Sequence, residues 1–373
     1  MTDVIVLGAG IIGAAVAYRL SRAGQRVTVL EAERPAAMAS RRSFAWINAG
    51  NKPPRPYHDL NAAGVAEYGP LAAEVGGDWL HRCGRLEWAT DPAERLALRE
   101  RIARLRTWDY PAAPIARDEA QALVPDLVLP PAGAADFVFY EQDGWVETAG
   151  LIGQLLAAAA AAGASLHYPA PAERLLVERG RAAGVVAAGA TYAADLVIDC
   201  TGVAAGALLR PHGLTIAQRS SAGILVVTEA APLRLERVVH APGVYLRPDG
   251  NGRVLIGSEA IDAGLAGLPA DAPAPDPVAA PCRDLLHRAR AIAPALAGVA
   301  LESTRLCWRP MPADGLSAVG PLAGLPGYYL ALTHSGVTLA PVLSRLIAEE
   351  VTTGAAPAAL LPFRPDRLAR RAD

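Results

Sequence analysis

A chain of 373 residues, 52% of them hydrophobic, can bury a large core and divide into two domains, and aromatics at only 5% point to alanine-rich helices. Its net charge of −2 gives no electrostatic ground for a nucleic-acid partner, and Cys83, Cys200, Cys282 and Cys307 lie too far apart for a CxxC or a zinc spacing. Scattered thiols, no apolar run of about 18 residues free of charge or breakers, and a glycine-interrupted start without a basic leader predict a cytoplasmic protein with no membrane span.

Residues 3–7 read as a short apolar strand, Gly8 to Gly13 as a turn, Ala14 to Ala23 as a helix stopped by Gly24, and Arg26–Leu30 as a second strand. The stretch 36–58, rich in Ser, Arg, Asn and Pro, reads as loop, and 59–76 as helix. Strands at Arg85–Ala89 and Phe137–Tyr140 flank a charged helix, Pro92–Trp108. An alanine-rich helix covers 149–163, and strands follow near 165–168, 173–178, 183–187 and Asp195–Cys200. The block 218–259 is β-rich, clearest in the hairpin GVYLRPDGNGRVLIGSE with its Pro-Asp-Gly-Asn-Gly turn. A Pro/Ala-rich loop at 267–281 precedes a helix near 282–293. A β-rich middle between α/β segments points to an inserted domain. The expected division is 1–80, 142–215 and 300–373 in a dinucleotide-binding domain, with 81–141 and 216–299 binding substrate.

Gly8-Ala9-Gly10-Ile11-Ile12-Gly13 matches G-x-G-x-x-G between strand and helix. The first glycine permits the tight turn, the second admits a pyrophosphate against the backbone, and the third lets helix and strand pack closely. Free N–H groups at the helix start would face the phosphates. Glu31, 18 residues beyond Gly13, ends the second strand where a carboxylate reaches ribose hydroxyls, with Ala32 beside it. This pattern fits NAD and FAD alike.

The C-terminal segment Thr333-His334-Ser335-Gly336-Val337-Thr338-Leu339-Ala340-Pro341 leads into Val342, Leu343, Leu346 and Ile347 at amphipathic helical spacing. Ser335 or Thr338 is placed to cap that helix, and its N-terminus would direct positive dipole at an anion. A reduced flavin carries negative charge that such a dipole favours.

The chain resembles the D-amino-acid oxidase superfamily of FAD enzymes, which includes glycine oxidase, sarcosine oxidase and D-amino-acid dehydrogenase-like members. The resemblance spans nearly its full length. Its marks are VIVLGAGIIGAAVAYRL with Glu31, DGWVETAGL at 143–151, DLVIDCTG at 195–202, RLCWRPMPADGLSAVGP at 305–321 and THSGVTLAP at 333–341. It implies an α/β fold: a GR2-type Rossmann-like FAD-binding domain with an inserted antiparallel-sheet (α+β) substrate domain. It also implies FAD contacts from Ser40, Arg41, Arg42 and Ser43, from Cys200, Thr201 and Gly202, and from His334, Ser335, Gly336, Val337 and Thr338. Cys200 by itself reads as a small buried strand-end residue.

In the glycine and D-amino-acid oxidase branches, the arginine of a Gly-x-Arg-Pro segment holds the substrate carboxylate. The matching segment here is Cys307-Trp308-Arg309-Pro310, so Arg309 takes that role by resemblance, with Tyr245 of the hairpin beside it. A guanidinium fork binds a carboxylate bidentately and fixes the α-carbon. A salt-bridging surface arginine and an ordinary strand tyrosine are the plain alternatives. Cys307 stands where the sarcosine oxidase branch has a cysteine bonded to the flavin, and Asp314 supports that alignment. A small residue filling glycine's place is the other reading of Cys307, so covalent and non-covalent FAD both stay open.

That branch also has a lysine above the flavin that speeds reaction with oxygen. The hairpin alignment puts Leu255 there, and Lys52, the one lysine among 35 basic residues, reads as a solvated surface residue, with a reach to the site through its loop as the alternative. O2 and an electron carrier are therefore both admissible acceptors. The function implied is oxidation of the C–N bond of an amino acid or N-alkyl amino acid, by hydride transfer to flavin N5 giving an imine. A 2-hydroxy-acid oxidase or dehydrogenase on the same fold would want a base, and His334 is the residue to test. His334 otherwise reads as a structural loop histidine, since a helix start disfavours its protonation. No second glycine motif supports a flavin monooxygenase, and a redox-silent dinucleotide-binding regulator is the alternative from another class.

Overall fold

The computed structural model describes residues 1–265, 267–268, 273–277 and 279–371. The first glycine motif organises a six-stranded sheet in the order 318–321, 328–332, 196–199, 3–7, 26–30, 165–167, parallel except for Ala318–Pro321. Strand Asp3–Leu7 is apolar and buried from Val4 onward because both its faces are covered. Val4 and Val6 pack beneath helices Ile11–Arg22, Thr148–Ala161 and Gly336–Thr353. Ile5 and Leu7 face the three-stranded sheet that covers the other side, Ala172–Glu178, Arg181–Ala187 and Ala190–Ala193. Helix Arg55–Val75 crosses the C-terminal helix at Gly64, where a Cβ would collide with the Thr338 carbonyl.

The second sheet has eight strands in the order 301–308, 222–228, 254–257, 244–248, 238–241, 85–89, 136–140, 112–115. Neighbours are antiparallel except Val238–Ala241 beside Arg85–Ala89. Side chains alternate across it. Ile224, Val226, Leu246 and Ile256 pack on Cys282, Leu285, Leu286 and Ala289 of helix Ala280–Ile292, while Leu225, Val227, Tyr245 and Leu255 meet Phe44 on the opposite face. Strand Leu301–Trp308, grouped from sequence with 300–373, pairs here with Ala222–Thr228.

Two local readings change. The first helix begins at Ile11 rather than Ala14, so Gly13 lies in its first turn. The 36–58 stretch is not an exposed loop: it holds a short helix, Ala39–Arg42, and a strand, Trp46–Ile47, paired with Gly144–Val146, and Ala45 and residues 47–50 are buried. The Pro/Ala-rich stretch 267–281 lies partly outside the described residues. No helix among the described residues is long and apolar enough to cross a membrane.

Candidate dinucleotide and substrate site

The glycine motif is a backbone cradle. Gly8 has φ +92°, and a Cβ there would stand 2.8 Å from the Cys200 carbonyl, while a Cβ on Gly13 would collide with the Gly8 carbonyl. Gly10 precedes the helix with no side-chain cap, and the Ile11 N–H donates to Ser40 Oγ at 3.0 Å. Glu31 accepts the Ala9 N–H at 2.8 Å on one carboxylate oxygen and the Glu33 N–H at 2.9 Å on the other. The carboxylate is thereby fixed at the strand end with lone pairs to spare. Ala32 and Arg41 are exposed, while Arg42 and Ser43 are half-buried.

The turn Cys200-Thr201-Gly202 closes the cradle and is organised by a residue not singled out in the sequence, Asp199. Its buried carboxylate accepts the Thr201 N–H (3.0 Å), Thr201 Oγ1 (2.6 Å), the Gly206 N–H (2.8 Å) and the Tyr328 hydroxyl. An acid at a parallel strand's carboxyl end, followed by Cys-Thr-Gly, is the signal that could have found it.

The C-terminal loop is tied to the segment 46–57. Ser335 precedes helix Gly336–Thr353, yet its hydroxyl does not cap it. It accepts instead from Lys52 Nζ at 3.0 Å and from the Tyr57 hydroxyl at 2.9 Å. Thr338 Oγ1 donates to the Trp46 carbonyl (3.2 Å) and accepts the Asn48 N–H (3.3 Å), and the Val337 carbonyl accepts from Tyr68.

Lys52 is thus a correction: it is not a solvated surface residue but half-buried against the loop expected to face the cofactor. Burial pushes its amine down to about 8; Asp143 and Glu259 act the other way, and Arg85 adds to the lowering. The segment Phe44–Gly50 carries no charged residue, and that is what returns Lys52 to the interior. Burial, with Lys52, Arg309 and Arg219 nearby, pushes His334 down to about 3, so its imidazole is neutral.

Arg309, Tyr245 and Cys307 meet on the Phe44 side of the second sheet. The Arg309 N–H donates to the Ser221 carbonyl at 2.8 Å, and its guanidinium fills the space over Gly223, where any Cβ would collide with it. The same guanidinium pairs with Asp262, whose other oxygen accepts the Ile224 N–H at 2.9 Å. The Tyr245 ring lies where a Gly257 Cβ would be and meets Phe44 edge-on at 4.8 Å. Burial pushes its hydroxyl up to about 12, Arg309 opposing and Glu259 reinforcing. Cys307 is buried beside this face; burial pushes its thiol up to about 11, with Arg42 opposing. Asp314 is bound to Arg367 at 2.7 Å, away from any role in the pocket.

A mostly parallel sheet with a glycine cradle at its carboxyl edge, joined by a second, mostly antiparallel sheet carrying a paired arginine, is the architecture of a dinucleotide-binding oxidoreductase. Residues 3–350 match the FAD dependent oxidoreductase family, and the chain belongs to it. It is 30% identical to glycine oxidase of Pseudomonas aeruginosa, over 93% of each chain. It is 28% identical to an uncharacterized oxidoreductase of Bacillus subtilis, over 98% of this chain and 99% of that one. The crystal structure of glycine oxidase from Geobacillus kaustophilus superposes with a TM-score of 0.86 at 27% identity, covering 98% of both chains. L-proline dehydrogenase from P. horikoshii, at TM-score 0.86 and 20% identity, shares the fold. The cradle fits FAD: Gly8 and Gly13 leave no room for side chains, Gly10 meets only Ser40 Oγ at 3.2 Å, and the helix start presents backbone donors to a pyrophosphate. Bound FAD would supply the two-electron acceptor.

Proposed function

We propose that this enzyme oxidises the C–N bond of a small carboxylate-bearing amine, an amino acid or N-alkyl amino acid, to an imine, the electrons passing on to O2 or an electron carrier. The supporting observation is Arg309, half-buried over Gly223 and on the face that carries Tyr245. A guanidinium there can take a carboxylate in two parallel hydrogen bonds, with the Tyr245 hydroxyl, protonated at every working pH, as a further donor. The second sheet then supplies substrate contacts and the first holds the cofactor through Gly8, Gly10, Gly13, Glu31, Ser40, Thr201 and the 334–338 loop. Its relatives include the glycine oxidases of Pseudomonas aeruginosa and Geobacillus kaustophilus, which agrees with this substrate class.

Oxidation of a 2-hydroxy acid with His334 as its base fits less well. An alcohol must lose its hydroxyl proton, and His334, at about 3, is too weak a base to take it near neutral pH. The test is a panel of amino acids, N-methyl amino acids and 2-hydroxy acids mixed anaerobically with the yellow enzyme. Bleaching by amines with a free carboxylate is expected; bleaching by hydroxy acids alone would overturn the reading.

A further inference from the structure

Lys52 is the only lysine in the chain, and among the described residues its one hydrogen bond is the donor bond to Ser335 Oγ. That oxygen also accepts from Tyr57, so both its lone pairs are used and its own proton points elsewhere. Ser335 therefore fixes one N–H of Lys52 and leaves the rest of the amine directed at its surroundings. Those surroundings come from several elements. His334 and Ser335 lie on the C-terminal loop, Tyr57 on helix Arg55–Val75, Asp143 before strand Gly144–Val146, Arg85 on the second sheet and Glu259 on helix Glu259–Ala263. Glu259 also acts on Tyr245, and Lys52 and Arg309 both act on His334. The loop that carries Lys52 touches Tyr245 through Phe44 and Arg85 through Gly50, and His334, the neighbour of the Ser335 that holds Lys52, lies within electrostatic reach of both Lys52 and Arg309.

We propose that Lys52 is the proton acceptor for the substrate's ammonium group. The inference rests on the C–N oxidation reading above. An ammonium nitrogen has no lone pair with which to form the imine, so it must lose a proton before the carbon beside it is oxidised. With the carboxylate on Arg309, the substrate N–H bond breaks as a bond forms between that proton and Lys52 Nζ. No electron moves, the net charge is unchanged, and the new positive charge lies where Asp143 and Glu259 offset it. Burial, with Arg85 adding to it, keeps the amine neutral often enough to act, since a base works best near the ambient pH.

A single lysine allows a direct measurement. Protein grown on [ε-13C]lysine should give one side-chain resonance, titrating near 8 rather than at the ordinary lysine value of about 10.4. In anaerobic bleaching, the second-order rate should rise with pH through the same value in the wild type. In K52M that limb should move to the substrate's own ammonium ionisation, with the rate near pH 7.5 down ~10–100-fold. K52R keeps a cation without a base and should behave as K52M does. Ordinary titration of the resonance, K52R bleaching like the wild type, or a K52M defect confined to reoxidation would each overturn the proposal. Failure of every amine to bleach the flavin would instead remove the C–N reading on which it rests, whereas an unmoved limb in K52M with amines still bleaching removes Lys52 alone. Unchanged flavin content in the purified variants shows that they fold.

Discussion

Arg309 and Asp262 form an ion pair in which the carboxylate, 8% exposed, keeps a second bond to the Ile224 N–H. The guanidinium expected to hold substrate is already held by the protein, so an incoming carboxylate competes with Asp262. Asn at 262 retains an oxygen for Ile224 and removes the competing charge; D262N should lower KM for carboxylate substrates about tenfold, the effect of about 1.4 kcal/mol. R309A should raise KM by ~10–100-fold, the range of one or two hydrogen bonds to a charged group. It also strands a buried carboxylate, so the double variant R309A/D262N should regain part of the lost Tm. Steady-state kinetics of the three variants decide; an unchanged KM in R309A removes the clamp.

The cradle prediction is simpler. A Cβ at Gly13 meets the Gly8 carbonyl within bonding-like distance, and neither backbone can yield without separating helix from strand. G13A should purify without yellow colour. Gly153, also helical but with nothing within 4 Å, provides the control: G153A should keep its flavin. The absorbance ratio at 450 and 280 nm, wavelengths set by about where flavin and protein absorb, checks both.

The sequence disclosed the parts whose signal is local. Glycines at fixed spacing, an acid 18 residues on, alternating hairpin strands and the amphipathic C-terminal helix all appear as patterns within one element. What it hid depends on contacts between distant segments. Lys52 meets Ser335 across 283 residues, and Arg309 meets Asp262 across 47. The stretch 36–58 read as loop from its Ser, Arg, Asn and Pro content, but its middle lacks charge and is tied to Thr338 of the C-terminal helix and to the second sheet. Phe44 meets Tyr245 edge-on there, and Gly50 packs against Arg85 and Tyr140. Asp199 was passed over because an acid after three apolar residues reads as a strand terminus, whereas its four donors come from the turn that follows, from Gly206 and from another strand.

Cys307 faces the site, yet its surroundings oppose the covalent option. A thioether to flavin requires a thiolate, and with the thiol at about 11 only about one molecule in ten thousand is ionised at pH 7. Arg42 is the one cation acting to lower it. Non-covalent FAD is the expected state: acid precipitation should leave the flavin in the supernatant, and C307S should retain full colour. A yellow pellet from the wild type that turns white in C307S would establish the bond.

His334 gives stability a defined pH dependence. Its pKa is about 3 in the folded chain against about 6.5 unfolded, with burial the leading cause. The unfolded state therefore binds the proton first as pH falls. The contribution is fully present above about 6.5 and is lost between there and about 3, at a slope of at most about 1.4 kcal/mol per pH unit. Averaged from pH 7 to pH 5 the slope is about 1 kcal/mol per unit, because the unfolded imidazole is only partly protonated at the start of that range. His58 and His81 shift in the same direction, so some loss persists without His334. Urea unfolding of the wild type and H334N between pH 7 and pH 5 should show the variant losing stability less steeply, by about 1 kcal/mol per unit. Parallel curves would mean that the imidazole takes up its proton in the folded chain as readily as in the unfolded one, and His334 would again be a candidate base.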